Sequence, residues 1–439
     1  MTRRLVAYAL ALPLFAQPLT TLSLSDAIQR GLKTNLSALT AANAQRDASA
    51  TVLGARAQLL PDINGDVRES VQQTNLAAAG LRFGSIALIP GQPGFSFPSI
   101  VGPYNYFDVR GNATQSIVDL TKLYRYRSSK EGAKAAGWNT ADSRELIVQA
   151  VTGAYMQIIA QQSRIDTVRA QISTAQTANT QAVDRNNSGL NARIDVNRTQ
   201  VELQTQQQRL NALLNDLAKQ KIALARLIGM PQSPGFTLTD PWPFDPLEKV
   251  AAVDEMVSLA WGNRPDIKAA NARVSAAEET RRAASAENLP TLSVNADYGV
   301  IGINPAQSHG TFGVTGTLHV PIYRSGRVAA DVEKARANVE QRKAELVDLK
   351  ARAEQDVRNA LLDVDTATAQ MRLAESNKTL AADTVEQAGD RFRAGLADTL
   401  EVVQAQESQA AAEQDYIGAV YSYQLARVGL ARATGSGVK

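Results

Sequence analysis

Few residues of this chain have side chains suited to enzyme chemistry. The sequence contains no cysteine and two histidines, His309 and His319. Without cysteine there is no thiol nucleophile, disulfide or thiolate metal site. Neither histidine has carboxylates at a metal-binding spacing, and we find no phosphate-binding glycine loop and no nucleophile elbow. We therefore expect no enzyme activity and no cofactor, and we interpret His319 as a polar residue facing water, with a metal-binding role as the weaker alternative.

Two segments of the chain repeat one pattern. Residues 184–200 read DRNNSGLNARIDVNRTQ, and residues 390–406 read DRFRAGLADTLEVVQAQ. In each, a periodic apolar–polar stretch ends just before a glycine, which is typical of the left-handed residue that ends a helix. The offset is 395 − 189 = 206 positions. Each segment thus predicts a helical hairpin turn, and the pair predicts an internal tandem repeat. The aligned pairs are Arg185 and Arg391, Gly189 and Gly395, Leu190 and Leu396, and Asp195 and Glu401.

The composition indicates long helices in narrow layers. Apolar residues make up 44% of the 439 residues, but aromatic residues make up only 5%, which is unusual for a thick globular core. The formal net charge is +3, too mild and too evenly spread to indicate binding to nucleic acid. Two arginines and an apolar run of about eleven residues near the N-terminus predict a signal peptide at 1–16. No other run is long and apolar enough for a membrane-spanning helix.

The periodicity predicts the same order of elements twice. The first repeat, 24–228, has a helix, strands at 62–74 and 104–118, and a helical hairpin at 127–228. A proline-rich linker follows at 229–247. The second repeat, 250–433, has a helix, strands at 291–301 and 310–322, and a hairpin at 327–433. We expect single helices at 25–59 and 254–288, and a long exposed loop at 76–103, which contains four prolines.

The lengths of these elements favour an assembly of several chains. The helix ending at Arg393 would be roughly 100 Å long, and the other helices are about half that length, so two of them stacked end to end match one long helix. Each strand alternates apolar and polar residues, as the wall of a membrane barrel does, although a soluble β-meander has the same pattern. Four strands leave two open edges, and a closed barrel needs about eight strands. If the strands lie in lipid, several chains must each contribute four.

Together these features resemble the TolC-like family of outer-membrane efflux proteins. The resemblance rests on the two glycine turns, the joints Leu60-Pro61 and Leu289-Pro290, residues 263–267 (NRPDI) and the strand-to-helix joint at 321–327. It covers nearly the whole chain, from about 24 to 435. It implies a homotrimer in the outer membrane of a Gram-negative-type cell, with a twelve-stranded barrel in contact with lipid and a twelve-helix periplasmic tunnel. It also implies a periplasmic adaptor that contacts the turns and couples the tunnel to an inner-membrane transporter.

The resemblance further implies roles for individual residues near the turns. An acid at the position of Glu401 often forms a threefold ring at the tunnel entrance in the family, where it would attract cations and repel anions. Gln404 stands where a second acid ring occurs, so we expect one strong ring; the alternative is that Glu401 is a solvated surface acid. Family gates also link a tyrosine and an arginine of the second copy to an acid of the first. Asp195 keeps that acid, but Phe392 and Ala397 stand in the other two places, so Arg193, Arg198 or Arg393 would have to substitute.

We predict that the turns also contact the adaptor, although the glycines would be needed for the turns regardless of a partner. The predicted contact residues are Arg185, Gly189, Leu190, Arg391, Gly395 and Leu396. The favoured function is a passive outer-membrane channel of an efflux system, opened by its adaptor and pump. Two alternatives stay open: the outer-membrane component of a type I protein secretion system, and a soluble periplasmic or secreted coiled-coil interaction protein.

Overall fold

The computed structural model describes residues 20–78, 80, 98–190, 192–232, 235–240 and 252–437, which are mostly helical with a smaller share of sheet. The helices are α1 (Leu24–Thr34), α2 (Leu36–Ala57), α3 (Leu120–Asn187), α4 (Arg193–Leu227), α5 (Val253–Asn263), α6 (Pro265–Ala286), α7 (Arg327–Arg393) and α8 (Thr399–Thr434). The strands are β1 (Thr20–Leu22), β2 (Asp62–Asn75), β3 (Ile100–Val118), β4 (Phe236–Leu238), β5 (Thr291–Gly302) and β6 (Ser308–His319), with a 3-10 turn at Pro305–Gln307.

The chain packs into two units. The helical unit contains the described residues up to Asn43, with Trp138–Lys268 and the residues from Asp348 onward. The sheet unit contains Ala44–Gly137 and Ala269–Val347.

The largest core of the helical unit surrounds a small parallel sheet. In this sheet β1 pairs with β4, so that Leu22 lies beside Leu238. The buried side chains of Leu22 and Phe236 pack among residues of α3 and α4, including Ile158 and Leu224. Near them, the hydroxyl of Tyr155 lies 2.9 Å from the carbonyl oxygen of Leu22. The segment before α1 is thus joined to the segment after α4, and the stretch 229–247, predicted only as a linker, contains a strand.

Both helices that we predicted to be continuous are divided. The break between α1 and α2 is at Asn35, and the break between α5 and α6 is at Arg264; both residues have extended backbone conformations. Arg264 precedes a proline, which disfavours the helical conformation at that position. The side chain of Asn35 instead donates to the carbonyl oxygen of Leu227, at 3.2 Å, and accepts from the backbone N–H of Ser37, at 2.9 Å.

The residues at each break lie very close to a glycine that follows another helix. A β-carbon at Gly229, after α4, would lie 2.4 Å from the hydroxyl oxygen of Thr34. One at Gly435, after α8, would lie 2.8 Å from the backbone nitrogen of Arg264. Only glycine therefore allows these approaches, and the two glycines differ by the same 206 positions as the two hairpin turns.

Arg264 holds the second break in place through two carboxylates. Its guanidinium group contacts Asp266 and, on α7, Asp356, at 2.8 Å each. Burial alone would raise the pKa of Asp266, but the hydrogen bonds and the charge of Arg264 outweigh it and lower this pKa below its ordinary value. The segment NRPDI is therefore a buried structural joint between α5, α6 and α7.

The sheet unit contains one antiparallel sheet in the order β2-β3-β5-β6. Residues directly opposite each other in antiparallel strands lie on the same face. The register aligns Ile63, Ala113, Ala296 and Val314 across the four strands, and Tyr298 lies opposite Phe312. These residues form an apolar face that this chain leaves open, with Val67 75% exposed and Phe312 79% exposed.

The opposite face of the sheet is polar and internally bonded. Arg110 forms ion pairs with Asp108, at 3.4 Å, and with Asp297. The amide of Asn112 donates to the carboxylate of Asp66 at 2.7 Å. The neighbour of Arg110 on β5 is Gly299, whose missing side chain leaves room for the arginine to lie across the sheet. The alternation in the sequence thus separates an apolar face from a polar face.

Several predicted boundaries differ from the structure. β3 begins at Ile100 rather than 104, and α3 begins at Leu120 rather than 127. β6 ends at His319 rather than 322, before Pro321, which cannot donate to a strand. The predicted signal peptide at 1–16 lies outside the described residues, as do most of the predicted loop at 76–103 and the end of the predicted linker.

Candidate functional site

The two hairpin turns predicted from the sequence have the same backbone geometry. Gly189 and Gly395 have φ angles of +74° and +75°. The backbone N–H of Leu190 donates to the backbone carbonyl oxygen of Arg185, and the backbone N–H of Leu396 donates to that of Arg391, at 2.8 Å in both cases. This six-to-one bond is the Schellman arrangement that ends a helix. A β-carbon at either glycine would have open space around it, so glycine is needed here for its backbone angle.

An exposed leucine follows each glycine. Leu190 is 71% exposed and Leu396 is 73% exposed. In a Schellman cap this residue usually packs against its own helix, but here both side chains extend mainly into solvent. The turns thus present matched apolar side chains that are available to a partner.

The predicted gate residues lie on α4 and α8. Glu401 forms an ion pair with Arg391 of α7 at 3.1 Å, and its backbone N–H donates to the N-cap residue Asp398 at 2.9 Å. Gln404 lies one turn further along α8 and is exposed. Asp195 pairs with Arg198 of its own helix at 3.6 Å. The structure thus brings Glu401 together with Arg391, whereas Asp195 bonds locally.

A contact between an arginine and an aromatic ring joins the two hairpins. The guanidinium carbon of Arg185, on α3, lies 4.7 Å from the ring centre of Phe392, on α7. The sequence predicts that Arg185 contacts a partner and has Phe392 where the family has a tyrosine, but it gives no sign that these two residues meet. Two of the substitutes that we considered bond within their own hairpins, because Arg393 pairs with Asp390 and Arg198 pairs with Asp195.

A groove of about 720 Å³ lies beside this contact. Residues of α3, α4, α7 and α8 line it, and most are small or polar. Arg185 and Phe392 form part of its wall. Its lining includes Thr177, Gln181, Thr199, Val403 and Gln406.

Neither histidine belongs to a metal centre in the described structure. Among the described residues, no group of three or more histidine, aspartate or glutamate side chains is arranged to hold a metal ion. His309 and His319 are exposed and lie at opposite ends of β6, opposite Ile301 and Thr291. No helix within the described ranges combines the length and apolar character needed to cross a membrane.

A comparison with protein families identifies the family of this chain. The family model described as "Outer membrane efflux protein" matches residues 27–230 and 256–436. The chain belongs to the outer membrane efflux protein family. This TolC-like protein is therefore an outer-membrane efflux channel with a periplasmic helical domain. Members of the family are channel proteins rather than enzymes, and membership overturns the alternative of a soluble coiled-coil protein.

Individual relatives agree with this assignment. The efflux protein is 25% identical to the pyoverdine export outer membrane protein OpmQ of Pseudomonas aeruginosa over 424 residues, or 94% of this chain and 85% of the relative. Its fold is similar to that of the CmeC outer membrane channel of Campylobacter jejuni, with a TM-score of 0.78 and 18% identity over 95% of this chain and 86% of that chain. It is also similar to VceC of Vibrio cholerae, with a TM-score of 0.76, 18% identity and 95% and 97% coverage.

Proposed function

We propose that this efflux channel is a homotrimer in which each chain contributes four strands to one twelve-stranded barrel. The exposed apolar face of the β2-β3-β5-β6 sheet is the observation that carries the proposal. Lipid cannot satisfy the backbone groups of open sheet edges. Pairing β6 of one chain with β2 of the next satisfies both edges, and it turns the apolar face to lipid and the Arg110 face to water.

The same proposal treats the chain as an internal tandem repeat. α1 and α5 have 11 residues each, and α2 and α6 have 22 each. The long helices α3 and α7 have 68 and 67 residues, and α4 and α8 have 35 and 36. In a trimer, these repeated elements supply six long helices and six stacked pairs of shorter helices, enough for a twelve-helix periplasmic tunnel.

The hairpin turns form the periplasmic entrance in this proposal. Leu190 and Leu396 dock a periplasmic adaptor, together with Arg185, Gly189, Arg391 and Gly395, and the adaptor couples the channel to an inner-membrane transporter. Glu401 contributes a threefold acid ring, with Gln404 and Asp195 beside it. The channel performs no chemistry of its own, so the transporter supplies the energy.

The cargo that we propose is a small molecule. The name of OpmQ describes export of pyoverdine, and that relative aligns with nearly the whole chain. This similarity favours small-molecule efflux over service in a type I protein secretion system.

We also propose that the contact of Arg185 with Phe392 helps to hold the entrance closed. A contact of this type at an exposed site is worth about 0.5–1 kcal/mol, which corresponds to roughly a two- to fivefold shift in an equilibrium. It joins two hairpins that must separate for the entrance to widen, and it uses the phenylalanine that stands in the place of the family's tyrosine.

Single-channel recording in planar bilayers tests this function and its gate together. The purified protein should form channels that are closed most of the time. Phe392→Leu should raise the fraction of time that a channel is open roughly two- to fivefold. Glu386→Gln is the matched control, since it removes an exposed charge of α7 near the turn and leaves the contact intact. A protein that forms no pores would refute the channel, and an unchanged open fraction in Phe392→Leu would refute the latch.

A further inference from the structure

A second, smaller cavity lies between α3, α4 and α8, next to the groove near the hairpin turns, with which it shares Thr174 and Gln406. Its volume is about 90 Å³, enough for an ion with several water molecules. The lining is polar for a cavity inside a helix bundle, with two glutamates and four glutamines. The lining residues that carry the argument are Gln171, Glu202, Gln206, Gln409 and Glu413.

The two carboxylates in this cavity come from different helices. Glu202 lies on α4 and Glu413 lies on α8, and both are partly buried. Within the part of the chain that the structure describes, neither carboxylate lies within ion-pair distance of a lysine or arginine. Partly buried carboxylates without a cation carry an unfavourable desolvation energy. The cavity therefore holds two carboxylates that no cationic side chain of the described residues neutralises.

Glutamine amides fix the orientation of both carboxylates. The amide nitrogen of Gln206 donates to Glu202 at 2.7 Å. The amide nitrogens of Gln409 and Gln171 donate to the two oxygens of Glu413, at 3.2 and 3.4 Å. Because a carboxylate only accepts hydrogen bonds, rotating these amides by half a turn would set two oxygens against each other. The amide orientations are thus determined by chemistry.

This orientation leaves two amide oxygens without a partner among the described residues. Gln206 is only 5% exposed, and its side-chain oxygen accepts no hydrogen bond from any residue that the structure describes. The buried side-chain oxygen of Gln171 is unpartnered in the same way. A buried acceptor without a donor is costly and needs an explanation. Gln206 and Gln171 are both among the residues that line the same cavity as the two carboxylates.

We propose that this cavity is a binding site for a hard divalent cation of the Ca²⁺ type. Such ions take six to eight oxygen ligands from carboxylates, amide carbonyls and water. Glu202 and Glu413 supply the charge, Gln206 and Gln171 supply neutral oxygens, and water completes the shell. The amide hydrogen bonds then act as an outer shell that orients the ligands. The ion would tie α8 to the α3–α4 hairpin.

Calcium binding to the full-length protein, extracted in detergent and stripped with a chelator, tests this site. Titration with CaCl₂ alone should give one saturable site per chain, and a parallel titration with MgCl₂ tells which ion fits better. Glu202→Gln and Glu413→Gln should each weaken Ca²⁺ binding at least about tenfold, as loss of a ligand does. Glu407→Gln, an exposed change on α8 outside the cavity, is the matched control and should bind as the parent does.

A second measurement separates an ion site from a cavity that contains only water. A ligand that binds only the folded state raises the unfolding midpoint with its concentration. Ca²⁺ should therefore raise the midpoint of the parent over that in EDTA, but not that of the double variant Glu202→Gln/Glu413→Gln. The double variant removes like charges and should fold. No saturable binding, or equal Ca²⁺ affinity in the parent and in both single variants, would overturn the proposal.

Discussion

At the scale of single residues, Glu401 acts within a local charge pair. Its carboxylate lies 3.1 Å from the guanidinium group of Arg391, and both side chains are well exposed. In the proposed trimer, an ion passing the entrance would therefore encounter a pair of opposite charges in each chain. The selectivity of such a pore would depend on which of the two charges lies closer to the path of the ion.

Opposite changes in selectivity test this assignment. A charge about 6 Å from a passing ion contributes about 0.7 kcal/mol in water, a factor of about 3. Because the same charge attracts K⁺ and repels Cl⁻, the two effects multiply in the permeability ratio. Glu401→Gln should therefore lower the ratio of K⁺ to Cl⁻ permeability by about tenfold for each charge that lies this close to the ion, and Arg391→Gln should raise it. Reversal potentials in a KCl gradient give this ratio for open channels. If neither variant changes the ratio, Glu401 is a solvated surface acid.

The sequence was sufficient to identify the residues whose role depends on local backbone geometry. Gly189 and Gly395 were predicted because a helix that ends in a sharp turn needs a residue with positive φ. The contact of Arg185 with Phe392 could not be predicted from the sequence. It depends on how α3 packs against α7, and Phe392 lies more than 200 residues after Arg185 in the chain. The cavity around Gln206 could not be predicted either, because the glutamines that line it come from three helices. In the sequence, each of them resembles an ordinary surface residue.

At the scale of elements, each hairpin turn should be more sensitive to substitution than the helix before it. Gly395→Ala forces a β-carbon into the left-handed region, which costs roughly 1–2 kcal/mol. Gly389→Ala lies on α7, where a β-carbon would have open space, and should stabilise the helix by about 0.5–1 kcal/mol. Urea unfolding of the detergent-solubilised variants checks this contrast. Equal effects of the two substitutions would contradict the assigned cap.

The two faces of the sheet should also respond differently to charge. Val314 belongs to the exposed apolar face and Thr315 to the polar face of the same strand. An arginine facing lipid at mid-membrane costs about 2–4 kcal/mol. Val314→Arg should therefore sharply reduce the amount of assembled protein in the outer-membrane fraction, whereas Thr315→Arg should assemble nearly normally. Equal yields of the two variants would mean that the apolar face does not contact lipid.

Long elements were easier to predict than their interruptions. Sixty or more residues of helical periodicity without a proline identify α3 and α7, although α3 starts seven residues earlier than expected. The break at Asn35 has no local signal as strong as a proline, because its cause is a hydrogen bond to α4. The strands β1 and β4 are three residues long, too short for an alternation to be recognised, and they depend on each other for pairing.

For the whole molecule, the proposed channel depends on the assembly of three chains. One chain leaves a sheet with two open edges, which lipid cannot satisfy, and one exposed apolar face, which is unfavourable in water. Three chains remove both edges at once, and the repeated helices then supply a closed wall. The proposal of an assembly of several chains thus rests on the sheet, whereas its trimeric form, the partners and the cargo rest on the family resemblance and on the turns.

The native mass of the protein extracted in detergent from the outer-membrane fraction tests this central claim most directly. We predict a single species of about three chain masses after correction for bound detergent, each chain having a mass of up to 47.0 kDa. Conductance should belong to that species. A monomer from the membrane fraction, or protein recovered mainly from the soluble periplasm, would contradict the account.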